Sequence, residues 1–445
     1  MDGVRTVLLW KLRLAGGLVL ALGLLAPQAA LGAGAGSFGS TGSMGTPRYA
    51  AVAAPLEDGR VLVAGGFYDD DGGVHYLASA EVFNPATNSF SSAGIGAMGV
   101  ARRGAVAAPL PDGRVLVAGG DYIDGADHYL ASAEVYNPAT NAFTPVGDMG
   151  IARVRAAAAP LPGGRVLVAG GNDGTTRLSS AEVFNSATNA FTPVGDMGSD
   201  RAREAAAPLP DGRVLLAGGT NGAPLSTAAI FDPATNSFSS AGIGAMSTAR
   251  QAPAAAPLPD GRVLVSGGVY VEGPGGYLAS AEVFDPATNS FSSAGIGAMG
   301  TARTGAAAAP LPDGRVLVAG GFDGSTRFSS AEIFAATNAF SFAVKGQKLL
   351  VSVQASGKVS VSDAAARLNT SAVKKKKKRR LLLKSSDTSG DPPTITAALH
   401  LSKLAKQRLR RTGRVAVRAR ITFAPQGGLA NTQTAKLKIK DKKRK

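Results

Sequence analysis

Asp58-Gly59-Arg60-Val61-Leu62-Val63-Ala64-Gly65-Gly66 is a turn, a short apolar run and a double glycine, and the chain repeats it nearly unchanged. The double glycine begins at 65, 119, 170, 218, 267 and 320, at intervals of 54, 51, 48, 49 and 53 residues. Upstream of each copy stand a Met and, four residues later, an Arg: Met44/Arg48, Met98/Arg102, Met149/Arg153, Met197/Arg201, Met246/Arg250 and Met299/Arg303. An Ala-rich run and, in most copies, a Pro-Leu-Pro-Asp-Gly turn lead from that Arg into the quoted segment. Downstream come a loop of variable length, a segment like Ser79-Ala80-Glu81-Val82-Phe83, a turn like Asn84-Pro85-Ala86-Thr87-Asn88, and a strand carrying Phe. A fixed period near fifty residues is the mark of a repeat architecture.

Each unit holds four short apolar runs divided by Asp-Gly and Asn-Pro-Ala-Thr-Asn turns, the pattern of a four-stranded antiparallel meander. The run Val-Leu-Val-Ala does not alternate with polar residues, so it must be covered on both faces. A blade between two neighbours in a propeller meets that need. Double glycine at the end of the strand allows positive φ or a close backbone approach. The expected fold is all-β: a six-bladed propeller followed by a small β-sandwich-like unit. Ser37-Phe38-Gly39-Ser40 matches a spare fourth strand, so it is expected to close the ring in the sixth blade and free the copy near Phe340 for the next unit; an unpaired, frayed start is the alternative.

These units resemble kelch repeats of the secreted bacterial type related to the galactose-oxidase propeller. The resemblance rests on the double glycine, the third-strand aromatics (Phe83, Tyr136, Phe184, Phe231, Phe284, Phe334) and the fourth-strand aromatics (Phe90, Phe143, Phe191, Phe238, Phe291, Phe340). The family usually has Trp at the latter position. The oxidase resemblance implies copper held by two Tyr and two His with a Tyr–Cys crosslink, but this chain has no Cys and only three His. Sialidase-type Ser-x-Asp-x-Gly-x-Thr-Trp turns do not occur either. Fold alone does not name a function. The leading expectation is a non-catalytic binding or interaction protein without a cofactor; the alternative is an extracellular carbohydrate-active enzyme, similar to a sugar epimerase.

Charge divides the chain. Residues 37–342 carry 17 Arg and 26 acidic residues, whereas 343–445 carry 27 Lys and Arg against 4 Asp. The divisions expected are 1–35 as a signal peptide, 36–342 as the propeller and 343–445 as a basic β-rich unit. Arg5, Lys11 and Arg13 precede an apolar run from Leu14 to Ala26, and small residues follow Pro27, the pattern of an export signal. An extracytoplasmic location, secreted or bound to the cell envelope, is expected; an uncleaved anchor is the other possibility.

Blades one, two and five have long loops between their second and third strands, on the same end of the propeller as the links between blades. These hold Tyr68, His75, Tyr76, Tyr122, His128, Tyr129, Tyr270 and Tyr277. Variable loops on a rigid scaffold are where recognition concentrates, and tyrosine offers both an apolar face and a hydroxyl. They are the candidate site for a glycan or protein ligand; loops that merely fill the rim are the plainer alternative. Asp69, Asp70 and Asp71 are weak candidates for Ca²⁺, as carboxylate oxygens suit that ion but the spacing fits no calcium loop.

The third-strand carboxylates Glu81, Glu134, Glu182, Glu282 and Glu332 fall in otherwise apolar runs, and a buried carboxylate needs a partner. The blade-opening Arg or the Arg after Asp-Gly could supply it. Alternatively, the six openers could ring the channel mouth and attract an anion. Blade four has Ala229 in place of Glu.

In the basic unit, runs at 349–353, 358–362, 394–401, 414–423 and 434–440 read as strands, and Ser402 to Thr412 as a helix with Gly413 as its stop. Its style resembles basic C-terminal domains of secreted actinobacterial proteins. Lys374, Lys375, Lys376, Lys377, Lys378, Arg379 and Arg380 form a block of seven cations suited to a polyanion. Envelope polymers or anionic headgroups are the expected partners. Nucleic acid is not expected, given export and few aromatics (Phe342, Phe423) for stacking on bases.

Overall fold

A computed structural model describes residues 36–271, 275–336, 340–345, 347–353, 357–363, 382–391, 394–425 and 431–440. The expected signal peptide 1–35 and the cation block 374–380 lie outside them. Among the described residues no helix is long and apolar enough to cross a membrane.

Six four-stranded antiparallel sheets follow one another around a ring. The first has Val52–Pro55, Val61–Ala64, Ala80–Asn84 and Ser89–Ser91 in sequential order. The innermost strand of each blade touches those of the blades before and after it, and Ala307–Pro310 of the sixth touches Val52–Pro55 of the first. The chain is a six-bladed kelch-type β-propeller followed by a smaller two-sheet unit.

The non-alternating second strand is explained by where its side chains go. Leu62 and Ala64 pack into a cluster shared with the second blade, while Val61 and Val63 face the sixth. Apolar clusters of this kind fill all six interfaces between blades. The third-strand aromatics Phe83, Tyr136, Phe184, Phe231 and Phe284 have no solvent exposure. Burying such a ring contributes about 1.5–3 kcal/mol.

Both glycines of the pair have positive φ, 68° and 85° at Gly65 and Gly66. The Gly66 N–H donates to the Arg102 carbonyl of the next blade at 2.8 Å, and a Cβ on Gly65 would lie 2.5 Å from that same oxygen. The bond recurs at every junction, ending with Gly321 N–H to Arg48 O at 2.9 Å. The double glycine is therefore the joint between blades, needed both for its left-handed conformation and for closeness. In the 3–4 turns, the last Asn (88, 141, 189, 236 and 289) takes φ of 51–53°, which Asn tolerates.

Gly36–Ser40 pairs antiparallel with Ala331–Ala336 and becomes the outer strand of the sixth blade. Phe38 lies 5.1 Å from Phe334, the same arrangement as Phe83 with Phe90 at 4.9 Å in the first. Phe340, grouped by repeat spacing with the fourth-strand aromatics, is not in the sixth blade. Its strand, Phe340–Lys345, runs across the expected division at 342–343 and pairs entirely with Lys348–Val353. With one fourth strand supplied from the N-terminus, a second would have no edge to occupy.

The smaller unit has a three-stranded and a four-stranded sheet around one apolar core that includes Val351, Val361, Ile421 and Phe423. Its helix, Lys403–Thr412, is capped by the Ser402 side chain accepting from Ala405 N–H and ends at Gly413, φ 68°. Ser386–Gly390 is a further edge strand that has no apolar alternation to announce it.

Candidate binding face

Loops between the second and third strands and links between blades share one end of the propeller. Six backbone positions close a ring around the channel there. Ala50, Gly104, Arg155, Arg203, Ala252 and Gly305, one from each link, have φ between 51° and 63°. Each donates its N–H to the carbonyl of the equivalent residue in the preceding blade, at 2.6–3.0 Å, and Ala50 completes the circuit by donating to Gly305. The left-handed conformation lets each residue donate backward and accept forward.

The blade-opening arginines do not line this mouth. Arg48, Arg102, Arg153, Arg250 and Arg303 are at most 2% exposed, each beside the third-strand carboxylate of its own blade. Each also donates to two backbone carbonyls, as Arg102 Nη1 does to Gly119 and Ser132 at 2.9 and 2.8 Å. The anion ring considered for them is therefore replaced by a structural role: they tie the link to the second and third strands. The other repeated arginine pairs locally instead, as Arg60 Nε does with Asp58 at 2.6 Å.

Blade four departs from this pattern. Arg201 bonds Gly218 O, Thr227 O and Thr227 Oγ1, and no third-strand carboxylate is present. A carboxylate appears nearby instead, on Glu204, where the other blades carry Ala51, Ala105, Ala156, Pro253 and Ala306. It is buried between blades three and four, and neither oxygen accepts a hydrogen bond from another residue. Burial pushes its pKa up to about 8, against the pull of Arg201 and Arg153.

The long loops of blades one and two are β-hairpins. Tyr68 stands opposite His75 and stacks on it at 4.7 Å; Tyr122 does the same with His128 at 4.5 Å. Each His is held through Nε2, by Asp70 at 2.8 Å and by Asp124 at 2.7 Å. The His75 hydrogen bond, with one from Gly72 N–H, holds the Asp70 carboxyl below its ordinary range. Asp69 pairs with Arg327 of blade six. Among the described residues no three His, Cys, Asp or Glu side chains are grouped as a metal site would require.

The other candidate tyrosines separate into two kinds. Tyr76 stacks on Phe67 at 5.9 Å, with Arg103 over both rings, and Tyr277 meets Phe322 edge-on at 5.7 Å. They are partly buried within the rim. Tyr129 and Tyr270 are exposed, by 36% and 46%. With them stand Val74, Ile123, Ile151 and Val271, which were not singled out from the sequence. These six are the exposed large apolar side chains among the described residues, and all belong to this one face.

A kelch motif matches residues 153–198, the third blade with part of each flanking link. Comparison with curated proteins returned no match.

Proposed function

We propose that this kelch-repeat propeller is a non-catalytic interaction protein that docks a protein partner on its loop face. The observation that carries the reading is the confinement to that face of the six exposed large apolar side chains among the described residues. Exposed apolar groups gathered on one surface mark interaction sites, whereas scattered ones do not. The hairpins stand stiffly, each pinned by a Tyr–His stack and a carboxylate, which lowers the ordering cost of binding.

The proposal extends to location. The N-terminal pattern supports export, and the basic C-terminal unit supports retention at an anionic envelope polymer or headgroup surface. Its strands Arg414–Pro425 and Asn431–Lys440 set Arg414 opposite Lys440 and Arg418 opposite Lys436, all exposed. Like charges directly opposite one another on a sheet are destabilising, and a bound polyanion relieves this.

The test is binding of the full chain to isolated envelope material at low and high salt, beside a Val74→Asp/Ile123→Asp/Val271→Asp variant. Salt-resistant protein capture lost in the triple variant supports the face. If capture is unchanged by the variant, the face is not the docking surface. If high salt removes nothing, the basic unit is not an electrostatic tether.

A further inference from the structure

We propose that Arg155 and Arg203 form an anion-binding site at the mouth of the central channel, which takes a single carboxylate or phosphate group. The inference goes beyond the docking of a partner, because a free anion can fill the site on its own.

The two residues are neighbours on the backbone ring, Arg203 N–H donating to Arg155 O at 2.7 Å. They border a cavity of about 130 Å³ on the propeller axis, whose remaining wall is made of Tyr49, Glu204 and small residues. A liquid water takes up about 30 Å³, so an oxyanion fits there. The lining also gives Arg155 its room: a Cβ on Gly104 would lie 2.9 Å from Arg155 Cγ.

Closing the ring does not require arginine. The same position is Ala in blades one and five and Gly in blades two and six, with the same φ and the same bond. Arginine here takes on a left-handed backbone, partial burial and a like-charged neighbour. Burial first, then Arg203, pulls the Arg155 guanidinium below its ordinary range. Such costs gather where a ligand repays them.

Among the described residues neither guanidinium has a hydrogen bond or ion pair. Asp121, the nearby acid of blade two, is already held by Arg103, whose Nε lies 2.9 Å from one oxygen while Nη2 meets the other. Glu204 is turned away, between blades three and four toward Arg153 and Arg201. Two forked donors around a small cavity suit an oxyanion, which guanidinium binds in bidentate fashion.

The experiment is calorimetric titration of the full chain with inorganic phosphate and, separately, with malonate, at constant ionic strength. Wild type, Arg155→Ala, Arg203→Ala, the double variant and Tyr270→Ala are compared. The alanines reproduce Ala50 and Ala252, so the ring stays closed, which an unchanged melting temperature verifies. Saturable binding weakened at least tenfold by each arginine substitution is expected, and Tyr270→Ala leaves it intact even if partner docking fails. Binding of phosphate alone or malonate alone assigns the source of the oxyanion. Heat that is absent with both anions, or identical in wild type and double variant, overturns the site; in the latter case the anion sits on the basic unit.

Discussion

Glu134 holds the guanidinium of Arg102 at 3.0 Å (Nη2) and 3.3 Å (Nε) inside the second blade, and both residues are almost wholly out of solvent. Five blades share this pair. Removing one partner of a buried pair strands the other charge, at about 3–5 kcal/mol. Glu134→Leu is expected to lower unfolding free energy by that order in a denaturant titration. A loss below about 1 kcal/mol would show that the carbonyls bonded to Arg102 suffice, as they do for Arg201.

Glu204 makes stability depend on pH. The folded chain keeps this proton up to about pH 8, whereas the ordinary value is 4.5. Its stabilising share is thus complete below about pH 4.5 and is lost as pH rises toward 8, at about 1.4 kcal/mol per unit. Glu204→Gln should flatten that part of the profile and exceed wild type in melting temperature at pH 8. Parallel curves for the two proteins between pH 5 and 8 would mean that Glu204 is ionised throughout.

Phe38 closes the ring by packing on Phe334. It is only partly buried, so Phe38→Ala is expected to cost about 2 kcal/mol, below the range for a full core aromatic. Deleting residues 36–40 removes the whole outer strand of blade six and should lower the melting temperature further than Phe38→Ala does. Equal melting of deletion and parent would show that the strand is dispensable.

Tyr76 and Tyr270 were equivalent candidates in the sequence, but their surroundings differ. Tyr76→Ala removes a ring stacked on Phe67 and covered by Arg103, so a loss of about 1–2 kcal/mol is expected. Tyr270→Ala should stay within about 0.5 kcal/mol of wild type, as exposed substitutions do. Comparing the two melting temperatures checks the assignment of one to the scaffold and the other to the binding face.

The repeat itself made the architecture legible. Six double glycines, a strand apolar on both sides and a spare Phe38 strand required a closed ring of sandwiched blades, since only mutual covering satisfies such strands. Ser402 and Gly413 marked the helix for the same reason: capping chemistry is local. Ser386–Gly390 went unseen, because a polar edge strand exists only through its neighbour.

The site is a different matter. Arg153 and Arg155 stand two residues apart in one link, and nothing local separates them, yet one is sealed against Glu182 and the other stands at an open mouth. Which arginine meets a carboxylate depends on a strand about thirty residues away. Likewise Tyr76 is covered by Phe67 of its own hairpin and by Arg103 of the next blade, whereas Tyr270 stands exposed. Local pattern decided the strands and their turns, because hydrogen bonding and burial repeat with the residues. Exposure and the cavity on the axis belong to no single repeat, and only closing all six into a ring created them.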